Sequence, residues 1–230
     1  MFSVIFEAEP RLGQWEAYLD GVRQLRPAVE KIDGFVGSIR YRSLTRRGWM
    51  LSLSDWRDEK ALVRWRSAMH HHEMQGRGRR EILEDYHLRV GQVTADTQIP
   101  DGYSLEEQRL DETEVGEGTT IVLISDDRPA EWGGTSNAPD CAEWLGLDPY
   151  AAGMVSWDVF EAVVAPGRLL LMLVFEDREA ADHFSDTVLL KESARLRQLR
   201  VIRDYGMFDR REAPQYYPER RPPQHRPVPP

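Results

Sequence analysis

The chain has 230 residues, 41% of them hydrophobic and 30% charged, with a formal net charge of −9 at pH 7. That balance fits a soluble globular protein and argues against a general binder of nucleic acid or anionic membrane. Cys141 is the only cysteine, which excludes an intrachain disulfide and a cysteine zinc site and makes a reducing cytoplasm the expected home. Glu7 and Glu9 come too early for a signal peptide, and the longest apolar run, Leu169–Phe175, is too short to span a membrane.

In chain order, Phe2–Phe6 is apolar and β-branched and predicts a buried strand. From Gln14 the residues Trp15, Tyr18, Leu19, Val22 and Leu25 fall at helical spacing, which Pro27 interrupts before Ala28–Ile32 resumes it. Asp33-Gly34 is a turn signal. Phe35–Leu44 alternates as a strand, with Val36, Ser38, Arg40 and Arg42 on one face and Phe35, Gly37, Ile39 and Tyr41 on the other. Arg47-Gly48 turns it into a hairpin partner, Trp49–Trp56. Asp58 is placed to cap a helix whose apolar face is Ala61, Leu62, Trp65, Ala68 and Met69. Gly76 and Gly78 are expected to break or bend it before a last strand, Tyr86–Val93. The order is β-α-β-β-α-β, the ferredoxin-like split βαβ.

Residues 96–117 are acidic, lack a sustained apolar period and read as a linker with a short helix near Leu105–Leu110. The pattern then restarts 119 residues on, without a gap. Pro10 meets Pro129, Gly34-Phe35-Val36 meets Gly153-Met154-Val155, and Gly48 meets Gly167. Trp56 meets Phe175, Asp58 and Ala61 meet Asp177 and Ala180, and Asp85-Tyr86 meets Asp204-Tyr205. Agreement of turn glycines, aromatics and caps in one register indicates internal duplication. The expected organisation is a first repeat (1–95), the linker (96–117), a degenerate second repeat (118–212) and a proline-rich, disordered tail (213–230). In the second repeat, Gly133-Gly134-Thr135-Ser136-Asn137 and a short helix, Cys141–Leu147, replace the first helix, either as a loop over a pocket or through simple degeneration.

The stretch Trp56–Tyr86, WRDEKALVRWRSAMHHHEMQGRGRREILEDY, resembles the antibiotic-biosynthesis-monooxygenase family of small ferredoxin-like proteins. The matching positions are Trp56 to Glu59, Trp65, His71 six residues on, Gln75, Gly78-Arg79 and Asp85 to Val90. The resemblance covers residues 1–95 and reaches the second half mainly through the internal repeat. It implies a dimeric α+β barrel, built here within one polypeptide, with a pocket between sheet and helices. It also implies one of three roles: a cofactor-free oxygenase of quinols and polyketide anthrones, a haem protein, or a module without activity.

His70, His71 and His72 point about 100° apart on a helix, so they do not ligate one metal together. An unbroken helix buries His72, seven residues after Trp65; the family alignment selects His71, and His71 is the preferred catalytic residue. A neutral imidazole in an apolar pocket serves as a general base or as a haem ligand. No cofactor is the first expectation, and haem bound by His71 or His72 is the alternative. The expected pocket residues are Trp65, Arg40, Phe35, Tyr41, Trp56 and His72; Arg40 and Arg42 pair across strands or with solvent, or one of them meets an anionic group. Leu189-Leu190-Lys191 replaces the histidines in the second copy, so the active pocket is expected within residues 1–95 only. Tyr86 and Tyr205 recur without histidine, which suggests a structural corner. The expected partner is a small hydrophobic or aromatic molecule, oxidised if it is a phenol, quinol or polycycle. Neither nucleic acid nor membrane is an expected partner, and the tandem chain could form a homodimer.

Overall fold

The computed structural model describes residues 1–129, 131–132, 137–218 and 220. The first unit runs Phe2–Pro10 (β1), Trp15–Val29 (α1), Phe35–Ser43 (β2), Met50–Trp56 (β3), Glu59–Arg66 (α2), Met69–Arg77 (α3) and Leu83–Asp96 (β4). A single π-helical turn, Gly78–Ile82, joins α3 to β4. The second unit runs Thr120–Asp127 (β5), Ala138–Trp144 (α4), Met154–Ala162 (β6), Arg168–Phe175 (β7), Arg178–Thr187 (α5) and Arg195–Gly206 (β8). This is the expected α+β class: two ferredoxin-like units closing one barrel.

The barrel order is β1-β3-β2-β6-β7-β5-β8-β4, with all pairs antiparallel. Each unit contributes four strands, and two seams join them: β2 to β6 and β4 to β8. The seams carry the symmetry of the repeat. Arg42 pairs with Glu161 and His87 with Gly206, so at each seam a residue faces its own counterpart 119 positions on. The Arg42 guanidinium donates to Glu161 across the first seam.

The recurring residues recur for physical reasons. Gly34 and Gly153 both have positive φ, +90° and +71°, where a side chain is strained. A Cβ on Gly34 would lie 2.7 Å from Ala61 Cβ, and one on Gly153 would lie 2.5 Å from Ala180 Cβ. Glycine at the turn and alanine on the helix are thus one packing solution used twice. Asp58 and Asp177 each cap the following helix, accepting from Ala61 N at 2.7 Å and from Ala180 N at 2.9 Å.

Alternate strand residues fill the barrel interior, among them Ile5, Tyr41, Leu53, Ile121, Phe160 and Leu199. Glu7 is buried inside between Arg46 and Arg89, to which it is bonded. Burial alone would raise its carboxyl, but the two guanidinium charges outweigh it and hold the group below the usual range. The outer faces of the two units differ. The second is closed by Cys141, Leu145, Phe175 and Phe184, with Val188 and Leu190 packed alongside. Lys191, at the third histidine's equivalent, lies 3.4 Å over the Trp144 ring.

Several expectations are revised. Pro27 lies within α1, in its last turn, so the helix runs on unbroken to Val29. Leu105–Leu110 is not helical. The amides of Gln108 and Arg109 donate instead to Gln92 Oε1 at 2.9 and 2.8 Å, and Tyr103 and Leu105 pack against the barrel core. The expected helix Cys141–Leu147 is set earlier, at Ala138–Trp144, because the Asn137 side chain accepts from Asp140 N. The glycine-rich stretch 133–136 lies outside the described residues, as does 221–230 of the tail. Residues 213–218 do not form a detached tail. Gln215 Nε2 donates to Gln75 Oε1 at 3.3 Å, and Tyr217 stacks on His72 with ring centroids 5.8 Å apart.

Candidate active site

A cavity of about 250 Å³ lies between the outer face of the first unit's sheet and its three helices. Val4, Phe6, Phe35, Ser38, Ser54, Trp56, Leu88 and Val90 form its floor, and Tyr18, Val22, Leu25, Leu62, Trp65 and Met74 its walls. Gly21 lets α1 approach α3 closely, since a Cβ there would sit 2.9 Å from Met74 Sδ.

The helix carrying the histidines breaks upstream of them and also changes, as expected, at the later glycines, where Gly78 begins the π turn. It stops at Arg66 and restarts at Met69, with Ala68 extended at ψ 130°. The seven-residue spacing from Trp65 to His72 therefore no longer follows one helix face, and His71 turns inward. Its ring stacks on Trp65 at 4.3 Å and 12°. His71 Nδ1 lies 3.0 Å from the Trp65 carbonyl oxygen. His70 and His72 are exposed. His72, expected as a pocket residue, instead stacks on Tyr217 outside the cavity.

Burial pushes the His71 imidazole down to about 4, against the opposing effect of its bond to the Trp65 carbonyl. The ring is neutral at neutral pH, and a carbonyl can only accept. Nδ1 therefore carries the proton, which leaves Nε2 with a free lone pair.

The other expected pocket residues divide. Phe35, Trp56, Trp65 and Arg40 all line the cavity. Phe35 and Arg40 share a face because the β2–β3 register shifts between Phe35 and Gly37, which sends Val36 toward the barrel core. Phe35 meets Trp56 edge-on at 5.2 Å. Tyr41 is not a pocket residue: it is 2% exposed inside the barrel, where burial pushes its hydroxyl up to about 12. Arg42 points to Glu161 at the seam, which leaves Arg40 as the strand's cation in the cavity, its Nε buried and unpartnered.

The cavity is not confined to residues 1–95. Arg203, Tyr205, Arg210, Pro214, Gln215 and Tyr217 line it from β8 and the segment that follows. Arg79 and Tyr86 line it from the first unit, and the π turn buries Arg79. The Asp-Tyr recurrence was the one available signal, since Tyr86 and Tyr205 meet at this cavity across the second seam. Spacing held no sign that residues beyond 212 would return to the first unit. Among the described residues no group of three His, Cys, Asp or Glu side chains could hold a metal ion, and no helix is long and apolar enough to cross a membrane.

Comparison with known proteins gives the chain a family. The family described as antibiotic biosynthesis monooxygenase matches residues 1–77. A curated relative from Pyricularia oryzae, jasmonate monooxygenase ABM, is 45% identical over 225 residues, 95% of this chain and 99% of its own. Among solved structures, a candidate monooxygenase of Fusobacterium nucleatum is 11% identical, with a TM-score of 0.39, covering 88% of this chain and 93% of that one. An anthrone oxidase-like protein is 12% identical, with a TM-score of 0.34, covering 93% and 96%. Those two likenesses carry no argument; the full-length relative decides the matter, and the chain belongs to the antibiotic biosynthesis monooxygenase family.

Proposed function

We propose that the protein is an oxygenase that oxidises a compact, largely apolar substrate in the first-unit cavity, with His71 as the base. The observation that carries this reading is the fixed tautomer: Nδ1 is spent on the Trp65 carbonyl, and a neutral Nε2 is left in an apolar cavity. Family membership and the relative's monooxygenase activity support the reaction class.

The reaction needs no reductant if the substrate supplies all the electrons. Nε2 takes a proton from an acidic C–H or phenolic O–H. The anion passes one electron to dioxygen, and the radical pair combines into a peroxide anion, which takes back the proton from His71 to give a hydroperoxide. At an activated methylene, loss of water from that hydroperoxide leaves a ketone, so one oxygen atom enters the product and the other leaves as water. A quinol loses two hydrogens to dioxygen and gives a quinone and hydrogen peroxide.

Magnitudes restrict the substrate. A gap of about six pKa units between His71 and an ordinary phenol corresponds to roughly 8 kcal/mol against proton transfer. Arg40 has a buried Nε without a partner, and a cation at such a site offsets several kcal/mol of developing negative charge. The substrate is therefore either more acidic than phenol or oxidised where Arg40 can face its anion.

Haem would compete for the same nitrogen. Sites for drug-sized ligands run to roughly 300–1,000 Å³. A porphyrin is larger than such ligands, whereas this cavity is about 250 Å³. The small cavity favours a cofactor-free reaction, and that is the reaction proposed.

The test is oxygen uptake by the full chain with a panel of anthrones, naphthoquinols and jasmonic acid, the last suggested by the relative's name. One of these should be oxidised, and His71→Ala should abolish turnover while the compound still binds. Undiminished turnover by His71→Ala would remove the base assignment. Tight binding without turnover in air would make this a ligand-binding module instead.

A further inference from the structure

The cavity holds more positive charge than its walls need. Arg79 is 6% exposed and Arg210 is part-buried, and among the described residues neither has a carboxylate within ion-pair distance. Both donate instead to one atom, the Tyr86 hydroxyl, from Arg79 Nη1 at 2.6 Å and Arg210 Nη1 at 2.7 Å, while their Nη2 atoms donate to neutral backbone carbonyls, Met207 O at 3.3 Å and Gln215 O at 2.8 Å. A tyrosine hydroxyl has two lone pairs and one proton. With both lone pairs occupied, the Tyr86 proton points away from the two cations, and no described group accepts it. Arg210 Nε is also buried and unpartnered.

Aromatic rings flank this point. Tyr217 lies 5.2 Å from the Arg79 guanidinium and 5.4 Å from that of Arg210, and Tyr205 lies 5.3 Å from the latter. One buried and one part-buried cation and one O–H donor without an anion are an unfavourable arrangement. A carboxylate, which accepts up to four hydrogen bonds, would satisfy it. The position along the helix matters too. His71, Gln75 and Arg79 follow at four-residue intervals, so the backbone positions of the base and of Arg79 stand roughly 12 Å apart along the axis.

We infer that Arg79, Arg210 and Tyr86 form a carboxylate subsite, and that the substrate is an apolar acid held by its carboxylate there with the oxidised carbon toward His71. The orientation rests on the oxygenase reading; the subsite itself does not. It also gives the second unit a role, since Arg210 follows β8.

The test is calorimetric titration of the full chain with jasmonic acid and its methyl ester, and with 2-naphthylacetic acid and its methyl ester, at low and high salt. Each acid should bind at least tenfold more tightly than its ester, with the difference shrinking in salt. Arg210→Gln should reduce the preference to under threefold, as should Tyr86→Phe, which keeps the ring. Equal affinity for acid and ester, failure of both acids to bind, or an undiminished preference in Arg210→Gln would overturn the subsite. Misfolding of Arg79→Gln would not matter, because the comparison of acid with ester needs no variant. His71→Ala should keep the preference for acids while losing turnover. A preserved preference with no turnover by the unaltered chain would sink the oxygenase reading and leave the subsite standing.

Discussion

The His71 imidazole makes a quantitative prediction that needs no substrate. In the folded chain burial holds it near 4; in the unfolded chain it returns to about 6.5. As pH falls, the unfolded chain takes up the proton first, so His71 costs stability progressively below pH 6.5 and the loss is complete below pH 4. Full loss of a gap of about 2.5 pKa units is roughly 3.4 kcal/mol, of which about 2 kcal/mol is already lost at pH 5. His71→Phe keeps a flat ring on Trp65 and removes the titration, at the cost of one hydrogen bond of about 1 kcal/mol. Urea denaturation of both chains at pH 7.5 and pH 5.0 isolates the effect, since every other group titrates in both. The stability difference between wild type and variant should move by about 2 kcal/mol in favour of the variant at pH 5. A shift below about 0.5 kcal/mol, within the usual scatter of such fits, would show that His71 is not a desolvated imidazole, and the free Nε2 argument would go with it.

Other outcomes follow from named contacts. Gly34→Ala and Gly153→Ala should each cost about 2–4 kcal/mol in urea denaturation, from positive φ plus contact with Ala61 or Ala180; a neutral effect would refute the shared packing. Asp177→Ala should cost about 1 kcal/mol through loss of its cap on Ala180 N, measured the same way. Tyr217→Ala should raise KM roughly tenfold, about 1.4 kcal/mol, with kcat little changed, because the ring walls the cavity without reaching His71. Haemin titration should give no saturable Soret band; a sharp band lost in His71→Ala would return haem to the site.

Much of this protein could be read along the chain because its information is local. The turn glycines Gly34 and Gly153, the Asp58 and Asp177 caps and the alanines they accompany recur 119 residues apart, so register exposed the duplication, and the resemblance to the family implied the barrel. Trp65, Trp56, Phe35 and Arg40 were legible for the same reason. Tyr41 was misplaced because a one-residue bulge near Val36 exchanges faces, and alternation cannot detect it. His71 against His72 depended on a helix break at Ser67-Ala68 that no glycine or proline marks. Arg79, Tyr86 and Arg210 come together only when the barrel closes. The β4–β8 seam carries the second unit's end onto the first unit's cavity, and contacts between residues more than a hundred positions apart leave no period in the sequence. Local sterics thus determined the two units and most of the pocket's apolar wall, while closure of the barrel decided where its charge collects.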